Sequence, residues 1–528
     1  MSGARSITGS FNGTGSWLRI TGSIPSWIGR RETATGLALF MVFVAFLAAV
    51  QFSTPNLAGN DGYYHIKIAS LMRSEGLKLE FSWLPLTILN AEEFVDHHFL
   101  FHVLLIPFTF GNLVMGAKWA SVLFAAAAFL SIWWLLHSQK VPGAPVWAIG
   151  ALAISEAFIF RMSMPRVQAL SLVVLVLALH WTLTGRHRFL VPLAFAYVWL
   201  YDAFPLILIV TAAWSAAHWV LNGHLDLRPV GYAGLGLFLG IVFHPYFPNN
   251  VEFAVRHILP KLTDATSISV GSEWFPYKTT QLLENSGIAL AALVSGVFAL
   301  GLSRRRMNVS TATALILTMA FALMVFLSRR FIEYFPPFAL IFTAFAWAPI
   351  LQRRIDQEGP QNAEISKAFS ARPRRKVLLA FLSGAVLITG LFVNLRASRE
   401  SIGDSKPAYR YGGASAWLAA NTPVGSMVFQ TDWDDFPRLY FFNSHNAYTI
   451  GLDPTYMQIY DAELYEHWTE LTQGRSDDLS AAVLETFGAR FVITDLAHNN
   501  FLNAARDDPE MTETYRDEYA AIFEIVSE

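Results

Sequence analysis

The chain has 528 residues, 54% of them hydrophobic and only 15% charged, with a mean hydropathy of +0.38 and a formal net charge of −2. A soluble protein carries about a quarter charged residues, so this balance excludes a wholly soluble chain and puts much of its length in lipid. With no cysteine, disulfides, thiol catalysis and cysteine-ligated zinc are excluded. The charge is unevenly spread: residues 401–528 hold about half of the acidic side chains, while the first 400 residues are apolar and net basic. Nucleic acid is therefore not an expected partner.

Residues 1–34 are polar and carry Arg5, Arg19, Arg30 and Arg31 ahead of the first apolar run. That pattern predicts a cytoplasmic N-terminal segment followed by an uncleaved first helix. A bilayer core takes about 20 residues of helix. On that measure the expected spans are 35–52, 115–137, 144–162, 168–184, 188–201, 203–221, 229–245, 286–302, 309–327, 331–351 and 376–395. The apolar stretch 99–110 is too short to span and is expected as an interfacial helix. Lys140, Arg186, Arg188, Arg228, Arg304–Arg306 and the basic cluster at 353–376 then fall on one side, which the positive-inside rule assigns to the cytoplasm. Three large segments, 53–114, 246–285 and 396–528, are left outside. In the last, expected strands at Ser426–Gln430 and Arg490–Thr494 alternate with helical stretches such as 455–473, long enough for an α/β domain. The expected fold is thus a polytopic α-helical membrane protein with about eleven transmembrane helices. Its transmembrane region is 35–395 and its C-terminal soluble α/β domain, 396–528, lies on the external or periplasmic side of an inner or plasma membrane.

Several polar residues stand out against this background. The first external loop opens with Asn60-Asp61-Gly62-Tyr63-Tyr64-His65 and closes with Asp96-His97-His98. Asp and His suit a divalent metal such as Mg or Mn and can act as acid or base; they also serve as ordinary loop polarity or as caps of helices at 62–75 and 97–110. The second large loop carries Ser269-Val270-Gly271-Ser272-Glu273-Trp274, either a polar site or part of an aromatic belt. Arg329 and Arg330 break two apolar spans on the external side, against the usual bias, and suit a lipid phosphate. The alternatives are snorkelling and pairing with Glu333. Arg161 and Arg166 flank a short external turn and could face phosphate too, while Asp202 and His244 are expected as cavity-lining or capping groups. In the soluble segment, Asp432-Trp433-Asp434-Asp435-Phe436-Pro437 reads as a binding pocket or as a capped helix start.

Taken together these residues resemble the catalytic subunits of STT3-type oligosaccharyltransferases, within the GT-C membrane glycosyltransferases. Asn60-Asp61-Gly62-Tyr63 is similar to the family's first acidic motif, and Ser269-Val270-Gly271-Ser272-Glu273 to its SVSE/TIxE loop. Arg330-Phe331-Ile332-Glu333-Tyr334 is similar to its RF-x-x-Y stretch, and Trp433-Asp434-Asp435-Phe436 falls where the WWDYG motif opens the soluble domain. The resemblance implies inverting transfer at the external face from a polyprenyl-phosphate-linked or polyprenyl-pyrophosphate-linked sugar to a protein, glycan or lipid acceptor. It implies Asp61 and Glu273 as catalytic residues, Arg329 and Arg330 as donor-phosphate ligands, and Trp433, Asp434 and Asp435 as acceptor ligands. The second acidic motif belongs at 161–168, where Arg166 and Gln168 stand instead of carboxylates; Asp96 and His97 are then expected to complete a metal site with Asp61. The WWDYG position has also lost one tryptophan and the glycine. A catalytically inactive scaffold would leave Asp61, Asp96 and Glu273 scattered, and a transporter would show an internal repeat, of which the sequence has none.

Overall fold

The computed structural model describes residues 30–258, 271–303, 305–357, 373–476 and 478–526. Among them, six helices are long and apolar enough to cross a membrane: Arg31–Gln51, Leu113–Ser138, Thr279–Leu302, Val309–Leu327, Phe335–Arg353 and Phe381–Gly403. The other expected spans fall on one bent helix pair and on shorter apolar helices of 10–17 residues. The stretch 99–110, expected as an interfacial helix, carries the helix Phe99–Leu105 with a 3-10 extension through Phe108.

One span differs from expectation in a way that matters. Residues 144–162 form two legs, Ala144–Ala153 and Glu156–Ser163, bent by 89°. Ser155 causes the break: its Oγ accepts from the Phe158 amide at 3.1 Å and donates to the Asn285 carbonyl at 2.6 Å, capping the second leg instead of continuing the first. The second leg carries Arg161 and ends at Ser163, where the chain turns through Met164, Pro165 and Arg166.

The helix Arg30–Gln51 ends against Lys118, whose buried ammonium donates to the Gln51 carbonyl at 3.1 Å and to the Thr54 carbonyl. Carbonyls at a helix C-terminus lack intrahelical partners and favour a cation, so this contact fixes where the first large loop begins. The helix Asp61–Glu75 follows.

At the other end of the chain, five strands form one sheet: β1 (Met427–Gln430), β2 (Ala447–Tyr448), β3 (Phe491–Asp495), β4 (Met511–Arg516) and β5 (Ala520–Ile525). Their order is β2-β1-β3-β5-β4, with β1 parallel to β2 and β3, and β5 antiparallel to β3 and β4. Both expected strands are there, shifted by one residue at the start. The expected helix 455–473 is two helices, because Asp461 caps the second by accepting from the Leu464 amide at 3.0 Å.

Side chains alternate across a strand, and both sheet faces are covered. Phe429, Val492, Ala521 and Phe523 pack on Val483, Phe487 and Phe501. On the opposite face Val428, Phe491, Ile493 and Ile522 share a core with Leu418 and Leu439, and with Phe81, Leu84, Leu89 and Phe94 of the first large loop. Backbone bonds reinforce the union: the Tyr448 amide donates to the Trp83 carbonyl at 2.8 Å, and the Ile88 amide to the Tyr456 carbonyl at 3.2 Å. The first loop and the sheet therefore lie at the same end of the helix bundle.

Candidate functional site

A cavity of about 1010 Å³ opens where the first-loop helix, the 163–168 turn, the 271–277 segment and the start of the sheet region meet. Asp61 occupies the first turn of its helix, where a carboxylate suits the helix dipole. Gly62 explains how close the next element comes: a Cβ there would lie 2.2 Å from Pro165 Cγ. That approach brings Arg166 to Asp61, with Nε 3.3 Å from Oδ2.

Glu273 lies in a 3-10 turn, Ser272–Trp274, held by Ser328, whose Oγ donates to the Glu273 carbonyl at 2.9 Å. Three guanidiniums converge on its carboxylate: Arg161 at 2.7 Å, Arg166 at 3.5 Å and Arg330 at 3.8 Å. Loss of hydration raises the pKa of Glu273, but the three arginines outweigh it and hold the carboxyl well below the usual glutamate range. Arg161 also donates through Nε to the buried Glu333 at 2.8 Å, so Glu333 pairs with Arg161. Arg330 donates to the Tyr201 hydroxyl at 2.7 Å and sits 4.8 Å over the Trp274 ring.

On the sheet side, Trp433 and Asp434 line the cavity, and Lys406 pairs with Asp434 at 3.2 Å. Asn60 ties the halves together: its amide donates to the Asp434 carbonyl, and its Oδ1 accepts from Arg438 Nε at 2.6 Å. Arg438 is fully buried and further donates to the carbonyls of Pro407 and Lys406 at 2.6 and 2.9 Å. Phe160, Leu206, Ile209, Met324 and Phe331 make an apolar wall along the helices.

The structure thus brings Asp61, Glu273, Arg330, His97, Trp433 and Asp434 to one cavity and leaves three expected residues off its lining. Arg329 is turned aside, its Nε 3.3 Å from the Pro276 carbonyl and its guanidinium over Tyr277. Asp96 is buried, with Oδ2 2.8 Å from His102 Nδ1. Asp435 lies behind Asp434, accepting from the Tyr411 hydroxyl at 2.5 Å. Ser269 and Val270 of the loop motif fall outside the described residues. Asp202 lines the cavity, and His244 accepts from the Tyr246 amide at 3.3 Å. His65 and His98, the last residues of the two first-loop clusters, also line it, His65 a helical step of four from Asp61; Tyr201 and Lys406 line it too and stand out by no sequence signal.

The expected metal set does not fit a divalent ion. Asp61, Asp96 and His97 do not form a close group, Asp96 is engaged by His102, and the Arg166 guanidinium already sits on Asp61. Among the described residues one acidic trio is close enough to hold an ion: Asp432, Asp435 and Asp495, with ligand atoms within 4.8 Å of one another. Its charge is balanced by neighbouring side chains, Lys406 at 3.6 Å from Asp435, and Arg410 and His498 at 3.1 and 2.7 Å from Asp495.

A helical bundle, an acidic first-loop helix at its end and a small α/β domain docked over both make a fold that solved structures share. Solved structures that share it include the oligosaccharyltransferase AglB of Archaeoglobus fulgidus, described in complex with an inhibitory peptide and a dolichol-phosphate. It is 15% identical with a TM-score of 0.64, over 91% of this chain and 71% of that one. ArnT of Cupriavidus metallidurans, described as bound to undecaprenyl phosphate, is 16% identical with a TM-score of 0.57, over 93% of this chain and 98% of that one. The mycobacterial arabinofuranosyltransferase AftD is 15% identical with a TM-score of 0.54, over 95% of this chain and 42% of that one. At these identities the likeness concerns the fold. No protein-family model matches the sequence, and no curated protein matches it.

Proposed function

We propose that the protein is a membrane glycosyltransferase that moves a sugar or oligosaccharide from a polyprenyl-phosphate or polyprenyl-pyrophosphate donor to a protein, glycan or lipid acceptor, with inversion, at the external face. The observation that carries this reading is one cavity that runs from an apolar helix wall, past clustered arginines, to Trp433 and Asp434. A polyprenyl chain matches the wall formed by Leu206, Ile209, Met324 and Phe331. Arg330 and Arg166 hold the phosphate, which leaves as an anion and needs positive charge most at the transition state. Arg329, turned toward Pro276, is not part of that grip. Asp61 holds Arg166 and faces the acceptor; Glu273 gathers the arginines and is displaced toward them or away as the phosphate binds. Trp433 and Asp434 contact the acceptor, with Asp435 supporting them from behind. AglB and ArnT, described with dolichol-phosphate and undecaprenyl phosphate bound, favour a donor of the same chemistry here. No step is routed through a metal, because the residues at Asp61 do not fit one. Of the three residues whose convergence separates an enzyme from a decayed scaffold, Asp61 and Glu273 meet at the cavity and Asp96 lies behind it on His102, which favours the enzyme on two of the three.

The test is transfer from a radiolabelled polyprenyl-linked donor extract by the purified protein, compared with Asp61→Ala. The variant is expected to lose about 100-fold or more of the activity, the usual scale for removing a group that acts at the transition state. Equal transfer by both proteins would remove Asp61 from the mechanism.

A further inference from the structure

Behind the cavity wall lies a buried chain of three side chains that the function above does not use. His65 sits one helical turn after Asp61, lines the cavity and is 5% exposed. Its Nδ1 is 2.8 Å from His102 Nε2, and His102 Nδ1 is 2.8 Å from Asp96 Oδ2. His102 is fully buried and Asp96 is 3% exposed. The other Asp96 oxygen accepts from the His98 amide at 3.0 Å, which fixes the carboxylate in place.

The proton positions follow from the partners. An ionised Asp96 can only accept, so His102 carries its proton on Nδ1 and donates. A neutral His102 then offers a lone pair at Nε2, so His65 must carry its proton on Nδ1 and donate in turn. That leaves the lone pair of His65 on Nε2, in a ring that lines the cavity. The chain of hydrogen bonds presents an oriented base at the site.

We propose that His65 is the catalytic base of the transfer, that His102 and Asp96 are its positioning residues, and that the acceptor is therefore an alcohol. The inference rests on the glycosyltransferase reading and narrows its acceptor. The acceptor oxygen forms a bond to the anomeric carbon as the bond from that carbon to the phosphate oxygen breaks. The electron pair leaves with the polyprenyl phosphate, between Arg166 and Arg330. The acceptor proton passes to His65 Nε2, and the imidazolium is stabilised through Nδ1 by His102 and Asp96. A hydroxyl loses its proton as it attacks and gains from such a base. A carboxamide nitrogen holds its lone pair in resonance, and a neutral imidazole does not release it. Burial above all, with the Arg166 guanidinium nearby, pushes His65 well below the usual histidine range, so the ring is unprotonated near neutral pH. The neighbouring His98, edge-on to His65 at 5.2 Å between ring centres, is pushed down in the same way.

The experiment uses the full-length purified protein, the radiolabelled polyprenyl-linked donor extract, and alkyl glycosides as alcohol acceptors beside an asparagine-containing peptide. His65→Ala is expected to lower kcat by about 10²–10⁴-fold with little change in donor KM, the range for loss of a general base. Added imidazole should restore part of that rate. Asp96→Asn should lower kcat in the native background and add nothing once His65 is gone, as expected of a group that acts through it. If His65→Ala does not fold, His65→Gln takes its place, read by the same double variant with Asp96→Asn. Undiminished transfer by the His65 variant overturns the proposal. So does a loss that imidazole does not restore and that adds to the Asp96→Asn loss, or transfer to the peptide alone. Absence of transfer by the native protein from the whole extract to either acceptor overturns the glycosyltransferase reading itself.

Discussion

Arg166 bridges Asp61 and Glu273 from a position where the resemblance implies carboxylates. A guanidinium carries one delocalised charge and fixed donor directions, so it can hold two carboxylates and a phosphate oxygen without an ion. Transfer assayed in chelator should therefore equal transfer in added Mg or Mn, and a strict metal requirement would contradict this placement. Arg166→Ala leaves Asp61 and Glu273 short of a partner; a drop in transfer of about 10–100-fold is expected, the scale of losing one charged hydrogen-bond partner of 1.5–3 kcal/mol. Asp435 offers a separate test. Burial and the nearby Asp432 push its carboxyl up to about 7, against the pull of Lys406. The folded protein then keeps a proton that the unfolded chain releases near pH 4, so stability falls as the pH rises from about 4 through about 7, by roughly 1.4 kcal/mol for each pH unit crossed. Asp435→Asn, which can still accept from Tyr411, should flatten that fall in melting temperatures read between pH 5 and 8. At this scale the sequence showed which residue types were unusual, not who pairs with whom. Asp96 looked like a metal ligand because its partner, His102, lies inside an apolar run that reads as plain helix.

Gly62 and Ser155 set the geometry of whole elements. A Cβ on Gly62 would overlap Pro165, so Gly62→Ala must push the first-loop helix from the 163–168 turn and part Asp61 from Arg166. Transfer is expected to fall by about 100-fold, as misplacement by about 1 Å can cost, while the helix content read by circular dichroism stays unchanged. Intact activity would mean the turn is free to move. Hydropathy located the helices because burial in lipid or in a core demands an apolar run whatever the partner. It missed the 89° bend because a single capping serine between two apolar legs hardly alters the average. The strands β1 and β3 were legible as short β-branched and aromatic runs; the two-residue β2 and the antiparallel β4 and β5 carry too little pattern to stand out.

The whole molecule is closed by the buried Arg438, which joins Asn60 of the first loop to the carbonyls of Lys406 and Pro407. Arg438→Met removes these bonds; the Pro407 carbonyl keeps the Arg410 amide at 3.1 Å, but the Asn60 oxygen and the Lys406 carbonyl lose their donor, at about 1–3 kcal/mol for each group shielded from water. The variant should melt several degrees lower, and limited proteolysis should cut it faster between the helices and the sheet region; an unchanged digestion pattern would show that the apolar interface alone suffices. This contact, between residues far apart in sequence, was beyond the reach of local patterns. The resemblance supplied the order of the motifs but not their docking.

The same tie has a consequence for biosynthesis. Asn60 meets the Asp434 carbonyl across a separation of 374 residues. At about 5–20 residues per second, the ribosome needs roughly 20–75 s to deliver one after the other. Throughout that interval Phe81, Leu84, Leu89 and Phe94 can pack on one another but lack the sheet side of the core in which they end. The nascent protein therefore spends its first minute with its cavity half built and an adhesive surface uncovered. A holding chaperone on that side of the membrane would have its task there, and premature release of the chain would yield an inserted but inert product.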